Sequence, residues 1–151
     1  MQQPERMSVV YPIKCPIKST MGATSSKFLI GLRDEEKIRA IKCPTCARIY
    51  MPPREACPTC LSHMDEWIEL SGKGTITTYT IVFYSEEYHP AEEPMIYAII
   101  QLDGADTGLT HLVSEVDLEN LQVGMRVEPV FKEKREGTIL DIKYFRPLKR
   151  T

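Results

Sequence analysis

β-Branched and aromatic residues dominate the second half of the chain, in short runs separated by turn-forming residues. Residues 75–84 and 95–102 are two such runs, a pattern that predicts strands rather than helices. Residues 107–114, 124–132 and 138–146 predict three more strands, with a short helical or turn segment at residues 115–121. In the last strand, Leu140, Ile142 and Tyr144 would share one face, with Asp141 and Lys143 on the other.

Five strands with a short helix between the third and the fourth predict an OB-type β-barrel. Pro129 lies inside the fourth predicted strand, where proline is tolerated only at an edge or a bulge. The second half of the chain is therefore predicted to be a small barrel with an irregular fourth strand.

The first 38 residues have little periodicity. Residues 1–25 predict an extended arm, and Ser25 or Ser26 is predicted to cap a short helix that ends near residue 38. Gly31 weakens the helix prediction. The predicted helix has a narrow apolar stripe formed by Phe28, Leu29 and Leu32. We expect this stripe to dock either on the rest of the chain or on a partner.

Two identical Cys-Pro-Thr-Cys knuckles, ten residues apart, lie in the middle of the chain. A two-residue gap lets both sulfurs of one knuckle face the same ion, and the spacer folds the second knuckle onto the first. Four thiolates leave no coordination site for water or substrate, so we expect one structural zinc ion, with iron as the alternative. The ligands are Cys43, Cys46, Cys57 and Cys60.

These patterns together predict a mainly β protein in three parts. Residues 1–38 form an N-terminal arm and short helix, residues 39–70 a rubredoxin-like zinc ribbon, and residues 71–151 a five-stranded OB-fold barrel.

Composition narrows the class of protein. The apolar fraction of 42% and the charged fraction of 26% are typical of globular proteins. The chain has neither an apolar secretion-signal core nor a run of membrane-spanning length. Paired CxxC motifs with an odd fifth cysteine, Cys15, fit a reducing cytoplasm. Residues 71–131 contain two basic residues and ten acidic ones, which disfavours a nucleic-acid-binding barrel.

No arrangement of residues indicates catalysis. Cys15 has no evident activating group, and His63 follows a site that four thiolates already saturate. His89 lies in an acidic loop that we interpret as solvated, with a glutamate–histidine acid–base pair as the alternative, and we expect a structural role for His111. We therefore expect no independent enzyme activity.

Several local motifs occur in a recognisable order between residues 27 and 146. They are Lys42-Cys43-Pro44-Thr45-Cys46, Pro52-Pro53-Arg54, Cys57-Pro58-Thr59-Cys60, Ser71-Gly72-Lys73-Gly74, Pro94-Met95-Ile96-Tyr97-Ala98 and Val123-Gly124-Met125-Arg126-Val127. In this order they resemble the zinc-ribbon/OB-fold family of acyl-CoA-associated proteins. The sequence departs from that family at Ala47, where the family usually has glycine.

The resemblance implies a non-catalytic accessory subunit that docks on a CoA-dependent enzyme through its ribbon and helix, while the barrel shapes acyl-CoA binding. The partner it implies is a thiolase-type catalytic subunit of aromatic-compound degradation, as in benzoylsuccinyl-CoA thiolase. The alternatives are a hydroxymethylglutaryl-CoA synthase, a MaoC-like enoyl-CoA hydratase and, from another class, single-stranded nucleic-acid binding. We expect no nucleic acid and no membrane as partners.

Coenzyme A carries phosphates that need cations. The candidate CoA-binding residues are Arg54, Lys143 and Arg146, with Lys149 and Arg150 in the same basic tail. The candidate partner contacts are Phe28, Leu29 and Leu32, which are expected to be exposed on the free chain.

Overall fold

The fold comes from a computed structural model, which describes residues 19–84, 87 and 89–148. Most of the predicted arm, including Cys15, lies outside these residues, as do Lys149 and Arg150. The described chain contains one α-helix, a three-stranded sheet and a closed five-stranded barrel, which confirms the predicted fold class. The division into residues 1–38, 39–70 and 71–151 stays a prediction.

Helix α1 spans Gly22–Glu35 with Met21 at its N-cap, so it begins four or five residues earlier than the sequence predicts and ends about three residues earlier. Neither Ser25 nor Ser26 caps it, since the Ser26 hydroxyl donates to the Gly22 carbonyl at 2.6 Å within the helix. Glu36 ends the helix in the left-handed conformation, with φ of 56°. Gly31 lies against Arg39, and an added Cβ would lie 3.0 Å from the guanidinium, so a larger residue here would require a shift of the arginine side chain.

The ribbon is an antiparallel sheet in the order β2-β1-β3. Its strands are β1 (Ile38–Lys42), β2 (Ile49–Tyr50) and β3 (Glu66–Leu70). Strand β1 separates two cores. Ile38 and Ala40 belong to the main core, and Ile41 belongs to a smaller cluster with Cys43 and Cys57.

The barrel closes in the order β4-β5-β6-β8-β7. Its strands are β4 (Gly74–Val82), β5 (Met95–Leu102), β6 (Gly108–Val113), β7 (Arg126–Phe131) and β8 (Ile142–Pro147). Gly74 pairs with both Leu102 and Val127 where the barrel closes, and an added Cβ would meet the Gln101 carbonyl at 2.6 Å. Pro129 fits β7 because β4 pairs only with Arg126 and Val127.

Two short 3₁₀ segments complete the barrel. Leu118–Asn120 occupies the predicted helical or turn segment before β7. Ile139–Asp141 lies where the sequence predicts the start of the last strand, so the strand prediction for residues 138–141 is wrong. Asp141 does not share an outer strand face with Lys143, since only 1% of Asp141 is exposed.

Asp141 organises the turn before β8. Its carboxylate accepts hydrogen bonds from the backbone amides of Glu136 at 2.9 Å, Gly137 at 2.7 Å and Thr138 at 3.2 Å. Burial acts to raise the pKa of Asp141, but these amide hydrogen bonds outweigh it and hold the pKa below its usual value. The charged form therefore holds the turn and prevents a continuous strand.

Helix, ribbon and barrel share one hydrophobic core. Leu32 is fully buried in it, together with Ile38 of the ribbon and Phe145 of the barrel. Phe28 and Leu29 are buried there too, so the prediction that these three side chains are exposed for a partner is wrong. The narrow apolar stripe of α1 docks on its own chain.

We expect Asp141→Asn to lower the free energy of unfolding by about 2–3 kcal/mol, because three charge-assisted hydrogen bonds weaken together. The folded-state pKa is depressed, so the stabilisation is present above the unfolded-state pKa of about 3.9 and is lost as the pH falls through the folded-state value. Chemical denaturation at pH 7 and in acid measures both effects. Asp65→Asn, at an exposed carboxylate, is the matched control, and equal effects at the two positions would contradict this role.

Candidate metal centre

The two knuckles have the same backbone structure. The Cys43 amide donates to the Arg48 carbonyl at 2.8 Å, and the Cys57 amide donates to the Ser62 carbonyl at 2.9 Å. Ala47 and Leu61 each follow the second cysteine of a knuckle, and their amides donate to the carbonyls of Cys43 and Cys57. The repeated sequence therefore folds as two equivalent turns that present their sulfurs toward one point.

The four sulfurs form a group of the size that a metal ion needs. Each offers one ligand atom, and all four lie within 4.8 Å of one another. The Sγ atoms of Cys46 and Cys57 are 3.7 Å apart, which matches the roughly 3.8 Å edge of a tetrahedron with zinc–sulfur bonds of about 2.3 Å. Four thiolates fill tetrahedral coordination, so the site is one structural zinc site, as predicted, without an open position for chemistry.

Hydroxyl groups and backbone amides support the sulfurs from outside. The Tyr50 hydroxyl lies 3.3 Å from Cys57 Sγ, and the Ser62 hydroxyl lies 3.2 Å from Cys43 Sγ. Within each knuckle, the amide of the second cysteine donates to the sulfur of the first at 3.4 Å. Such contacts orient metal ligands and stabilise their negative charge.

The pKa values of the thiols reflect this environment. Burial acts to raise the pKa of Cys57, but hydrogen bonds from the Tyr50 hydroxyl and from the amides of Cys60 and Thr59 bring it down to about 6. A hydrogen bond with Cys46, burial and the nearby Cys57 raise the pKa of Cys60 to about 12. Without a metal ion, the site thus favours a charged Cys57 and a neutral Cys60. A divalent cation would favour the charged form of all four sulfurs.

The ribbon is joined to the barrel by a small hydrogen-bond network that the sequence did not reveal. The Ile49 amide donates to the Asp106 carboxylate at 2.8 Å, and the Asp106 amide donates to the Ile49 carbonyl at 2.8 Å. Thr107 Oγ1 accepts from the Met51 amide at 2.7 Å and donates to the Met51 carbonyl at 2.8 Å. The loop between β5 and β6 therefore provides hydrogen-bond partners for backbone groups at the outer edge and the end of β2.

Trp67 joins the same parts of the molecule. Its ring packs against both the main core and the cysteine cluster. Lys27 of α1 places its Nζ 4.6 Å from the centre of the indole ring, within cation–π range. Trp67 is the sole tryptophan of the chain, so its fluorescence reports directly on the ribbon.

The structure does not bring the three candidate CoA-binding cations together. Arg54 is exposed on the ribbon, between the knuckles. Arg146 is paired with Glu128 at 3.1 Å and approaches Glu115 at 3.8 Å. Lys143 instead lines a cavity between loops of the barrel.

The histidines take no part in the metal group, which within the described residues consists of the four cysteines. His63 is exposed. His111 is buried, accepts from the Leu112 amide at 2.9 Å and lies 3.1 Å from the Ile139 carbonyl. Burial lowers the pKa of His111, so it is a neutral, satisfied structural residue, as its strand position indicated.

No helix within the described residues has the length and apolar character needed to cross a bilayer.

Two family models match consecutive parts of the chain. Residues 32–65 match the rubredoxin-like zinc ribbon domain of ChsH2, and residues 67–132 match the C-terminal OB-fold domain of ChsH2. Both matches fall on the modules that the structure shows.

Two archaeal relatives are DUF35 domain-containing scaffold proteins. The protein of Methanocaldococcus jannaschii is 34% identical over 97 residues, which are 64% of this chain and 68% of that protein. The protein of Pyrococcus furiosus is 32% identical over 127 residues, which are 82% of this chain and 92% of that protein.

Two solved structures have a similar fold. An Ltp2-ChsH2(DUF35) aldolase superimposes with a TM-score of 0.64 at 20% identity and covers 85% of this chain and 98% of that chain. A DUF35 family protein of unknown function from Sulfolobus solfataricus has a TM-score of 0.60 at 25% identity, with 72% and 78% covered.

We expect Cys57→Ser to lose the bound zinc and unfold the ribbon, because metal binding supplies on the order of 10 kcal/mol to such sites. Elemental analysis would measure zinc and iron per chain, and Trp67 fluorescence would report exposure of the indole. Cys15→Ser, at the cysteine outside the cluster, should keep one zinc ion. Retention of stoichiometric zinc and native fluorescence by Cys57→Ser would contradict the assignment.

Ala47 and Leu61 follow the two knuckles, and both have φ of 59°. This conformation strains residues with a Cβ atom, whereas glycine adopts it freely. We expect Ala47→Gly to raise the free energy of unfolding by about 0.5–1 kcal/mol, after the larger entropy of the unfolded glycine chain is subtracted.

Thermal unfolding of the zinc-loaded protein measures this change. The control is Ala56→Gly, in the same ribbon but outside the left-handed positions, which should lower stability by about 0.5–1 kcal/mol. Equal losses at Ala47 and Ala56 would show that the strain at Ala47 is negligible.

Proposed function

Because the chain belongs to the DUF35 family of scaffold proteins, with a ChsH2-type zinc ribbon and OB-fold domain, we propose that it is the non-catalytic accessory subunit of a CoA-dependent thiolase. It forms a hetero-oligomer with the catalytic subunit in the cytoplasm, and its barrel contributes to acyl-CoA binding. The observation that carries this proposal is a zinc site completely filled by cysteine in a chain that matches a scaffold protein of Pyrococcus furiosus over 82% of its length.

The chemistry of the described residues supports a structural role. The metal has no open position, so it supplies folding energy instead of Lewis-acid catalysis. Asp141 and His111, the buried polar residues, use their hydrogen-bonding groups within the fold. The nucleophile and the acid–base groups of thiolysis therefore belong to the partner.

The docking surface we propose is the outer face of α1 together with the tip of the second knuckle. Leu61 follows Cys60, is 82% exposed, and has the φ of 59° that a leucine rarely adopts. Ile30 lies on α1 and is 47% exposed. These residues replace Phe28, Leu29 and Leu32 as the proposed contacts, because they remain exposed on the folded chain whereas the other three are buried.

A similar fold occurs in an Ltp2-ChsH2(DUF35) aldolase, so aldol cleavage is the second candidate reaction of the partner. The comparisons give no support to a hydroxymethylglutaryl-CoA synthase or a MaoC-like hydratase as partner. They likewise give none to nucleic-acid binding, which the acidic barrel strands also disfavour.

Affinity capture from the source cells, followed by identification of the bound proteins, tests the proposal. We expect a thiolase-type subunit in stoichiometric amount, with thiolysis of acyl-CoA that depends on adding the accessory chain. An aldol-cleavage assay on the same complex distinguishes the second candidate. Recovery of a polymerase or a ribosomal particle would overturn the assignment.

We expect Leu61→Glu to weaken binding to the captured catalytic subunit by about tenfold or more, because it places a charge in a desolvated contact. Val123→Glu changes another exposed apolar residue, 61% exposed on the barrel, and should leave the affinity within about twofold. Surface plasmon resonance measures both affinities. A larger loss with Val123→Glu would move the docking surface to the barrel.

A further inference from the structure

A cavity of about 350 Å³ opens at one end of the barrel. Its walls come from the loop between β4 and β5, the start of β5, the end of β6, and residues near the start of β8. This volume is within the range of small-molecule sites. The cavity is made entirely of barrel residues, so it is distinct from the metal centre.

The position of the cavity agrees with the way OB-folds bind ligands. Their ligands bind on the face of the second and third strands, between the loop joining strands 1 and 2 and the loop joining strands 4 and 5. Here the first of these loops contributes Pro90 and Pro94, and the second contributes Lys132 and Leu140. The cavity therefore lies where the fold places a ligand.

Two lysines give the cavity its charge. Lys132 and Lys143 both line it, and among the described residues neither has a carboxylate within ion-pair distance. Glu92 is the acidic residue of the lining and is exposed on the loop. Tyr144 donates its hydroxyl to Glu115 at 2.6 Å. Lys143 Nζ lies 5.4 Å from the centre of the Tyr144 ring, a contact that leaves its N–H groups without a carboxylate partner, so the two lysines are the cationic donors of the site.

The remaining walls are largely apolar. Met95, Ile96, Leu112 and Val113 are buried residues of β5 and β6 whose surfaces reach the cavity. Apolar walls with a few polar groups at one side are typical of small-molecule sites, where the walls supply affinity and the polar groups supply orientation.

We propose that this cavity binds an anionic group carried on an apolar body, with the anion at Lys132 and Lys143 and the body against β5 and β6. Two sources share this chemistry. One is a free aryl or alkyl carboxylate, and the other is the phosphate end of a pantetheine arm. The second source rests on the proposed function, since it makes the accessory chain a contact for the acyl-CoA of its partner, whereas the first does not.

Two lysines are too few for a nucleic-acid site. Binding of single strands needs a positive groove and stacking aromatics along several nucleotides, and residues 71–131 contain ten acidic residues. A small anion is compatible with this surface because it can contact the two lysines without lying along the acidic strands and loops, and Glu92, the acidic residue of the lining, is exposed on its loop.

Binding to the purified full chain, without a partner, tests the proposal by isothermal titration calorimetry. The probes are phenylacetate against neutral phenylacetamide, and 4′-phosphopantetheine against neutral pantetheine. We expect one anion to bind saturably and about tenfold more tightly than its neutral analogue, because a charge-assisted hydrogen bond is worth at least about 1.4 kcal/mol. The preference should weaken at high salt.

The double variant Lys132→Met/Lys143→Met removes both charges while keeping side chains of similar length. It should abolish the preference for the anion over its neutral analogue. Lys134→Met, at an exposed lysine outside the lining, is the matched control and should keep it. If the double variant unfolds, methyl chemical shifts in the unmodified protein still locate the ligand, because Met95 and Val113 should move and Leu61 should not.

Tighter binding of phosphopantetheine would identify the pantetheine arm as the source, and tighter binding of phenylacetate would identify a free acid. The proposal is overturned if neither anion binds saturably, if the preference survives loss of both lysines, or if the shifted methyl groups lie outside the cavity. Because no partner is present, these outcomes are independent of whether a thiolase is captured.

Discussion

The structure depends on one electrostatic constraint: four negatively charged sulfurs that lie close together repel one another unless a cation binds between them. The sulfurs lie within 4.8 Å of one another, and within the described residues the cluster around them consists of Ile41, Tyr50, Met64 and the cysteines, with Trp67 packed against it. So small a core cannot hold two turns together by burial alone. Metal–thiolate bonds supply what the core lacks, and the same bonds leave no position for chemistry.

Hydrogen bonds and a shared hydrophobic core connect the ribbon to the barrel. Asp106 and Thr107 satisfy the edge of β2, and the main core continues from Leu32 of the helix to Phe145 of the barrel. The helix, ribbon and barrel are therefore held as one body by burial and hydrogen bonds. Such rigidity is suited to a member of a family of scaffold proteins.

Much of the fold and the metal site was predictable because the determining interactions are local. The Cys-Pro-Thr-Cys repeats encode their own turns, and the limits of β5 follow from a continuous run of strand-forming residues, Met95–Leu102. Predictions were wrong where a distant or buried group decides. Asp141 binds three backbone amides and converts a predicted strand into a turn, and a strand pattern carries no sign of this bonding.

The sequence by itself determined the metal ligands and the order of the elements, since both depend on spacing along the chain. Tertiary structure alone decided which apolar surfaces remain available. Phe28, Leu29 and Leu32 are buried because the helix packs against strand β1 of the ribbon and the 3₁₀ segment Ile139–Asp141 of the barrel, whereas Leu61 is exposed on its turn. The tertiary structure also places Lys132 and Lys143 at one cavity and pairs Arg146 with Glu128. These outcomes depend on contacts between residues far apart in the chain, and residue spacing does not specify such contacts.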